Sequence, residues 1–478
     1  MPSGDNKTTA LRAGAIGTFG VAALGAVMMA PALGIYANLG LIGAEAGRAA
    51  PAVFLMALIC TLPTAVSYAL ISKEIPSAGS AYTWLSDSLN PVVGMWIGIL
   101  VTAMYFFAVV LQPILFGLFF NDLLAALFNI QTGYGTWLAG VLVSTGAVAL
   151  LAYPGAQISA KGSIVLMICE MTVVIALAGT IFFVLAGKQH IDLTPFDPRV
   201  ALNGYQGMFG GLVFALLTFV GFGVITTAAE ETHSPREIIP RVVILACVLL
   251  GLFWALAAWP FSLAVGERVW AAQVADGRNP VAIIARDYWH SGAIVVVITA
   301  LSAVLGVYLA SIVGYARIIY AMGRDGTMPA WFAQLHPTYQ VPWNAQHVVL
   351  AVTVAADAVW GKWLGLYLAY DWWGNAVVFF AMISNVFVNV GCTAYFFRYR
   401  RGDFHWVWHG LIPVLGIITS ALPLYYSFGP ELWHAGWRKG QSVIVFCGIV
   451  LVASVIYTGL LRRWKPEAFQ RSVLTAIK

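Results

Sequence analysis

Residues 20–40 read GVAALGAVMMAPALGIYANLG, and residues 210–231 read GGLVFALLTFVGFGVITTAAEE. Each apolar run is long enough to cross a bilayer, which takes about 20 residues. Each also carries helix breakers near its middle. Pro31 has no amide N–H to donate, and Gly34 follows within a turn. Gly221 and Gly223 bracket Phe222. Breakers at that depth are tolerated where the freed backbone groups line a cavity or meet another helix. The two interrupted runs lie five apolar segments apart. A five-helix unit repeated once inverts its orientation, because five is odd. Interrupted helices at corresponding positions of two inverted halves point to a solute site at the membrane midplane. Gly and Pro also serve close helix packing without any ligand.

The rest of the chain fits that setting. Of its 478 residues, 60% are apolar and 9% charged. A soluble domain carries about 25% charged residues to keep its surface wet. The apolar runs are continuous rather than alternating, which selects helices over a membrane barrel. Twelve spans are predicted, near 14–38, 50–72, 91–121, 135–153, 162–187, 206–229, 241–265, 293–321, 346–367, 372–397, 409–428 and 441–461. An even number puts both termini on one side. Placing them inside gives 16 Lys/Arg in cytoplasmic segments and 9 outside, so the positive-inside bias predicts cytoplasmic termini in a plasma (inner) membrane. The net charge of +5 belongs to those loops and implies no nucleic acid partner. Five cysteines sit singly in apolar runs and read as small hydrophobes, with no metal site or cofactor implied. The N-terminus meets its first apolar run without a small-residue cleavage site, so no removable leader is expected. No histidine lies deep in a span. No motif specifies an oligomeric state.

Three loops sharpen the reading: KEIPSAGSAY at 73–82, EETHSPREIIPR at 230–241 and RIIYAMGRDGTMP at 317–329. Their prolines fix turns at helix ends, and their charges sit where they can pair or cap. Together they resemble the cytoplasmic signature loops of the amino acid–polyamine–organocation (APC) superfamily, which read roughly P-x-A-G-G/S-x-Y, E-E-x-x-N-P-x-R-x-I-P-R and R-D-G-x-x-P. The resemblance covers roughly residues 15–400.

It implies an all-α polytopic fold of the LeuT type. Two inverted five-helix repeats, 14–190 and 206–398, carry broken helices 1 and 6. Peripheral helices 11 and 12 follow at 405–461, with tails at 1–13 and 462–478. The tails show no readable function. The resemblance also implies alternating access, with spans 1 and 6 holding the solute and gating against spans 3 and 8. The amides of Ala32, Leu33, Gly34 and Ile35 would then face a carboxylate at a half-helix N-terminus. The carbonyls of Phe219, Val220 and Gly221 would accept from an ammonium. Phe219 and Phe222 would cover the ligand, and Tyr105 of span 3 would join them. Glu230, Glu231, Arg236, Arg241, Arg317, Arg324 and Asp325 would form a cytoplasmic gate or scaffold.

Two departures matter. Many members have G-[SA]-G-I-[FL] where this chain has Ala30-Pro31-Ala32-Leu33-Gly34-Ile35-Tyr36, and Pro31 cannot donate. Many carry an acid or a bulky residue where this chain has Gly223, so an obvious counter-charge for a cationic side chain is missing. A neutral amino acid or small amine is therefore expected, with a polyamine or cationic amino acid as the alternative.

An ionisable group at mid-bilayer is costly and reads as functional. Glu170 in span 5 resembles the place where some proton-coupled relatives carry a lysine, and is expected to carry the coupling proton. Asp357 in span 9 reads as facing a helix end or pairing with Lys362. Sodium coupling, the rival, would use Ser311 in span 8. Trp254 and Trp259 read as packing, and Trp372 and Trp373 as an interfacial belt. A channel would need a repeated filter, and an enzyme would need catalytic or ligand-spaced clusters. Neither is present. A substrate sensor on a transporter fold is the alternative of another class, and no appended signalling domain is visible to favour it.

Overall fold

The computed structural model describes residues 17–469, apart from 78, 153–159, 189, 266–269, 271–273, 275–278, 325, 340, 427, 430, 431 and 468. The described residues form helices joined by turns. Among the described residues, eleven helical stretches are long and apolar enough to cross a membrane. The first, Gly20–Glu74, is 55 residues long, far more than one crossing needs. The chain is a multi-pass membrane protein. Leu150, Phe183 and Ile449 are among the large apolar side chains exposed on its outside, as expected of a surface that meets lipid.

The first stretch is broken twice. Helix α1 (Thr18–Met29) stops at Ala30, which takes a left-handed conformation with φ 44°. Pro31 dictates this, because it removes a donor and excludes its predecessor from the helical region. A short helix α2 (Pro31–Leu33) restarts with proline at its first position. A π-helical turn follows at Gly34–Asn38, then α3 (Leu39–Ala46). Gly47, at φ 61°, turns the chain into α4 (Ala50–Glu74).

Helix α5 (Ser80–Ser88) lies before the long α6 (Pro91–Phe128). Helices α7 (Tyr134–Ala152) and α8 (Ala160–Gly187) complete the first half. The sixth apolar run is α9 (Gly204–Phe219), a tight 3-10 turn at Val220–Gly223, and α10 (Val224–Thr227). Then come α11 (Pro235–Ala264), a short α12 (Pro280–Trp289), α13 (Ala293–Arg324), α14 (Trp343–Leu364) and α15 (Leu366–Tyr399). Helices α16 (Ile412–Tyr426) and α17 (Ser442–Trp464) follow.

The two interrupted runs cross each other at their breaks. A β-carbon at Gly221 would lie 2.6 Å from the Met28 carbonyl oxygen. Only glycine lets these backbones approach so closely. Helices α4 and α11 pack along one another, with Gly251 seated on Leu58. Ser67 donates to Asn389 Oδ1 at 2.6 Å, and Asn389 Nδ2 donates to Thr64 at 2.9 Å. This fully buried pairing locks α4 to α15.

Two expectations change. Trp372 and Trp373 are buried rather than belted, because α15 begins earlier, at Leu366, and carries them inward. The Trp372 indole donates to Ser442 Oγ at 2.9 Å. Asp357 does not pair with Lys362: its carboxyl is fully buried while Lys362 is exposed.

Candidate functional site

A cavity of about 520 Å3 lies between α4, α6, α9, α13 and α15. Its inner end is made by Phe219, Val220, Phe222 and Gly223, the break of the sixth run, together with Tyr105 and Met104 of α6. Thr61, Tyr68, Ser384 and Asn385 add hydroxyl and amide groups on one side. Its outer end is made by Ser77, Gly79, Ser80, Ala81 and Tyr82 and by the end of α13, with Arg324 and Thr327. Arg324 is the one charged side chain among the described lining residues, and it stands at the mouth.

Aromatic packing fixes the inner end. The Tyr68 ring meets Phe222 edge-on at 5.0 Å and Trp84 at 5.3 Å. Phe219 meets Trp254 edge-on at 5.0 Å. Trp254 also explains the neighbouring break. Its indole N–H donates to the Pro31 carbonyl at 2.8 Å, satisfying a carbonyl beside the interruption. It lies flat on Gly34, where a β-carbon would come within 2.2 Å of Nε1. Ser80 Oγ and Thr226 Oγ1 share a hydrogen bond of 2.8 Å, tying the mouth segment to α10.

The predicted site residues divide. Tyr105, Phe219, Val220, Phe222 and Gly223 line the cavity. Gly221 instead faces the Met28 backbone. Ala32, Leu33, Gly34 and Ile35 are buried in α2 and the π turn, outside the cavity lining. The amides of Leu33 and Gly34 donate to the Ala30 carbonyl, at 2.9 and 3.4 Å, so the break satisfies them internally.

Of the proposed gate charges, Arg324 reaches the mouth. Arg236, Arg241 and Arg317 are exposed and make no ion pair among the described residues. The side chains of Glu230 and Glu231, and all of Asp325, lie outside the described residues. Among the described residues, Arg400 on that side pairs with Glu74 at 3.0 Å and with Asp403 at 3.6 Å. Glu74 belongs to the first loop motif, but its partner is 326 positions away and no local pattern announces it.

Glu170 is buried on α8, within electrostatic reach of Tyr36. The Tyr36 hydroxyl in turn shares a 3.2 Å hydrogen bond with Thr299 Oγ1 on α13. A phenol and a hydroxyl from two spans thus meet beyond the first break, with the Glu170 carboxyl of a third span within electrostatic reach of the phenol. Thr299 is an α13 hydroxyl that meets the first run, and Ser311 lies further along the same helix. The two are twelve residues apart, about 18 Å along a helix. Thr299 is quiet in the sequence because it also bonds back to Val295 and Val296, as hydroxyls in apolar helices do.

The multi-pass helical chain, with a cavity lined by the break of its sixth run, is matched by known membrane permeases. A family model described as amino acid permease matches residues 20–468. The chain belongs to the amino acid permease family, within the APC superfamily. It is a transporter and not an enzyme. Among similar permeases, the low-affinity putrescine importer PlaP of Escherichia coli is 24% identical over 343 residues, covering 71% of this chain and 73% of that protein. The branched-chain amino acid permease BcaP of Lactococcus lactis is 23% identical over 391 residues, covering 77% and 79%. Cationic amino acid transporter 4 of Mus musculus is 27% identical over 327 residues, covering 65% and 49%.

Proposed function

We propose that this permease moves a neutral amino acid or small amine by alternating access, driven by protons. The observation that carries the reading is the cavity lining: hydroxyl, amide, thioether and aromatic groups, with no carboxylate among the described residues. A dication held there would lack a counter-charge, and an unpaired charge in a low-dielectric site is costly. Phe219, Val220, Phe222, Gly223 and Tyr105 contact the substrate. Similarity to a branched-chain amino acid permease supports the choice. Similarity to a putrescine importer and a cationic amino acid transporter supports the second reading, a polyamine or cationic amino acid.

The 55-residue first stretch counts as two crossings in this proposal, giving twelve spans. The halves 14–190 and 206–398 are inverted repeats. The crossing of the first and sixth runs, and the packing of α4 on α11, support that pairing. The cavity mouth faces the cytoplasm, with both termini on that side of a plasma membrane. The Lys/Arg bias supports this, as does the Lys465 contact with Gly326 next to the mouth. Glu170, within electrostatic reach of the Tyr36 phenol that bonds Thr299, carries the coupling proton. Alternating access changes how the first run sits against α8 and α13, and so changes what surrounds that carboxyl.

Ligand-induced thermal stabilisation tests the substrate class. Purified protein is melted with each of a panel of neutral and dibasic amino acids, amines and putrescine. A neutral amino acid or a small monoamine is expected to raise the melting temperature most. Strongest stabilisation by lysine, arginine or putrescine would transfer the conclusion to the second reading.

A further inference from the structure

The last helix does more than border the bundle. Near the end of α17, the Tyr457 hydroxyl donates to the Thr327 carbonyl. Beyond its end, Lys465 Nζ donates to the Gly326 carbonyl at 2.9 Å. One further turn, closed by the Phe469 amide on the Lys465 carbonyl at 3.0 Å, brings in the Phe469 ring. That ring is buried against Met95 at the start of α6, with Tyr82 and Ile99 at its edges. Thr327, Tyr82, Met95 and Ile99 also line the cavity, on two sides of its mouth.

We propose that Tyr457, Lys465 and Phe469 form a strap that sets the width of the cavity mouth, as positioning residues for transport rather than substrate ligands. The segment is anchored at its root, where the Trp96 indole donates to Ser454 Oγ at 2.8 Å. From there it grips the turn after α13 with two hydrogen bonds and the start of α6 with one aromatic ring. A mouth bounded by those two elements changes width only if one grip yields. Both hydrogen bonds end on backbone carbonyls of a turn whose Gly326 sits at φ 80°. The strap therefore holds the backbone of that lip, whatever side chains the turn carries.

The inference takes the cavity as the substrate path, and the labelling arm of its test needs no substrate. Ile99→Cys is made in a chain whose five cysteines are replaced by serine or alanine. Its labelling by a membrane-impermeant maleimide is timed from the mouth side, with and without Phe469→Ala or Tyr457→Phe. Both variants are expected to label several-fold faster than the parent, and in transport to change kcat more than KM. Tyr457→Phe removes one hydroxyl and keeps the ring, so it decides the matter if Phe469→Ala does not fold. Parent-like labelling and kcat in a folded Tyr457→Phe or Phe469→Ala variant would overturn the strap. A parent that does not label at all contradicts the open cavity itself, and the strap with it.

Discussion

Gly34→Ala tests the packing of the first break. A β-carbon there would sit 2.2 Å from Trp254 Nε1, 2.7 Å from Cδ1 and 2.8 Å from Cε2. Ordinary contact begins at 3.4 Å, so the indole would have to retreat by about 1.2 Å. It has little room, being fully buried between Phe219 at 5.0 Å and Phe54 at 6.3 Å. Retreat also pulls Nε1 from the Pro31 carbonyl, now 2.8 Å away. Leaving that buried pair unmet costs about 1–3 kcal/mol, and overpacking adds about 1–3 kcal/mol. The sum, about 2–6 kcal/mol, is large against the stability of most folds. Gly223→Ala is the matched control, because its β-carbon would lie 3.4 Å from Tyr68, an ordinary contact. Thermal unfolding in detergent is expected to show a large drop for Gly34→Ala and a small one for Gly223→Ala. Trp254→Phe, which keeps an aromatic ring but loses the donor, is expected to fall between them. If Gly34→Ala melts within about 1 °C of wild type, the reasoning about this contact is refuted.

Other substitutions probe other parts of the account. Gly221→Ala is expected to be worse than Gly34→Ala, because its β-carbon meets the Met28 backbone at 2.6 Å, which cannot turn aside as a side chain can; yield and melting temperature measure this. Gly223→Asp places a carboxylate in the cavity wall and is expected to improve competition by putrescine about tenfold, equivalent to ~1.4 kcal/mol. Thr299→Val removes the hydroxyl that meets Tyr36 and is expected to lower gradient-driven accumulation while sparing substrate exchange at equal pH. Glu74→Gln breaks a pair whose arginine is 49% exposed, so a stability loss under about 1 kcal/mol is expected by chemical denaturation.

The membrane fold and both interruptions were legible because each rests on local chemistry. Pro31 lacks a donor wherever it stands, and a 60% apolar chain has few other folds open to it. The reasons for individual residues were less legible, because they lie in contacts between distant segments. Gly221 reads as a breaker, yet its necessity comes from Met28 crossing it. Trp254 reads as packing, and its bond to Pro31 spans 223 positions. The π turn and the Ala30 carbonyl that occupies two amides emerge only once Ala30 is left-handed. Trp372 and Trp373 look like a belt because aromatics near a span end usually are, and only the earlier helix start at Leu366 and the Ser442 hydroxyl reveal otherwise. Five residues of the candidate site were reachable through the loop motifs. Tyr68, Thr61, Ser384 and Asn385 were not, since helices α4 and α15 show no break or charge at those positions.

Uptake into proteoliposomes tests the central claim most directly. Radiolabelled amino acids and amines are offered under an imposed pH gradient, acid outside, to wild type and Glu170→Gln. The account predicts that a neutral amino acid or small amine accumulates above its external concentration, and that Glu170→Gln abolishes accumulation. Accumulation that ignores the pH gradient, needs sodium and survives Glu170→Gln would contradict it.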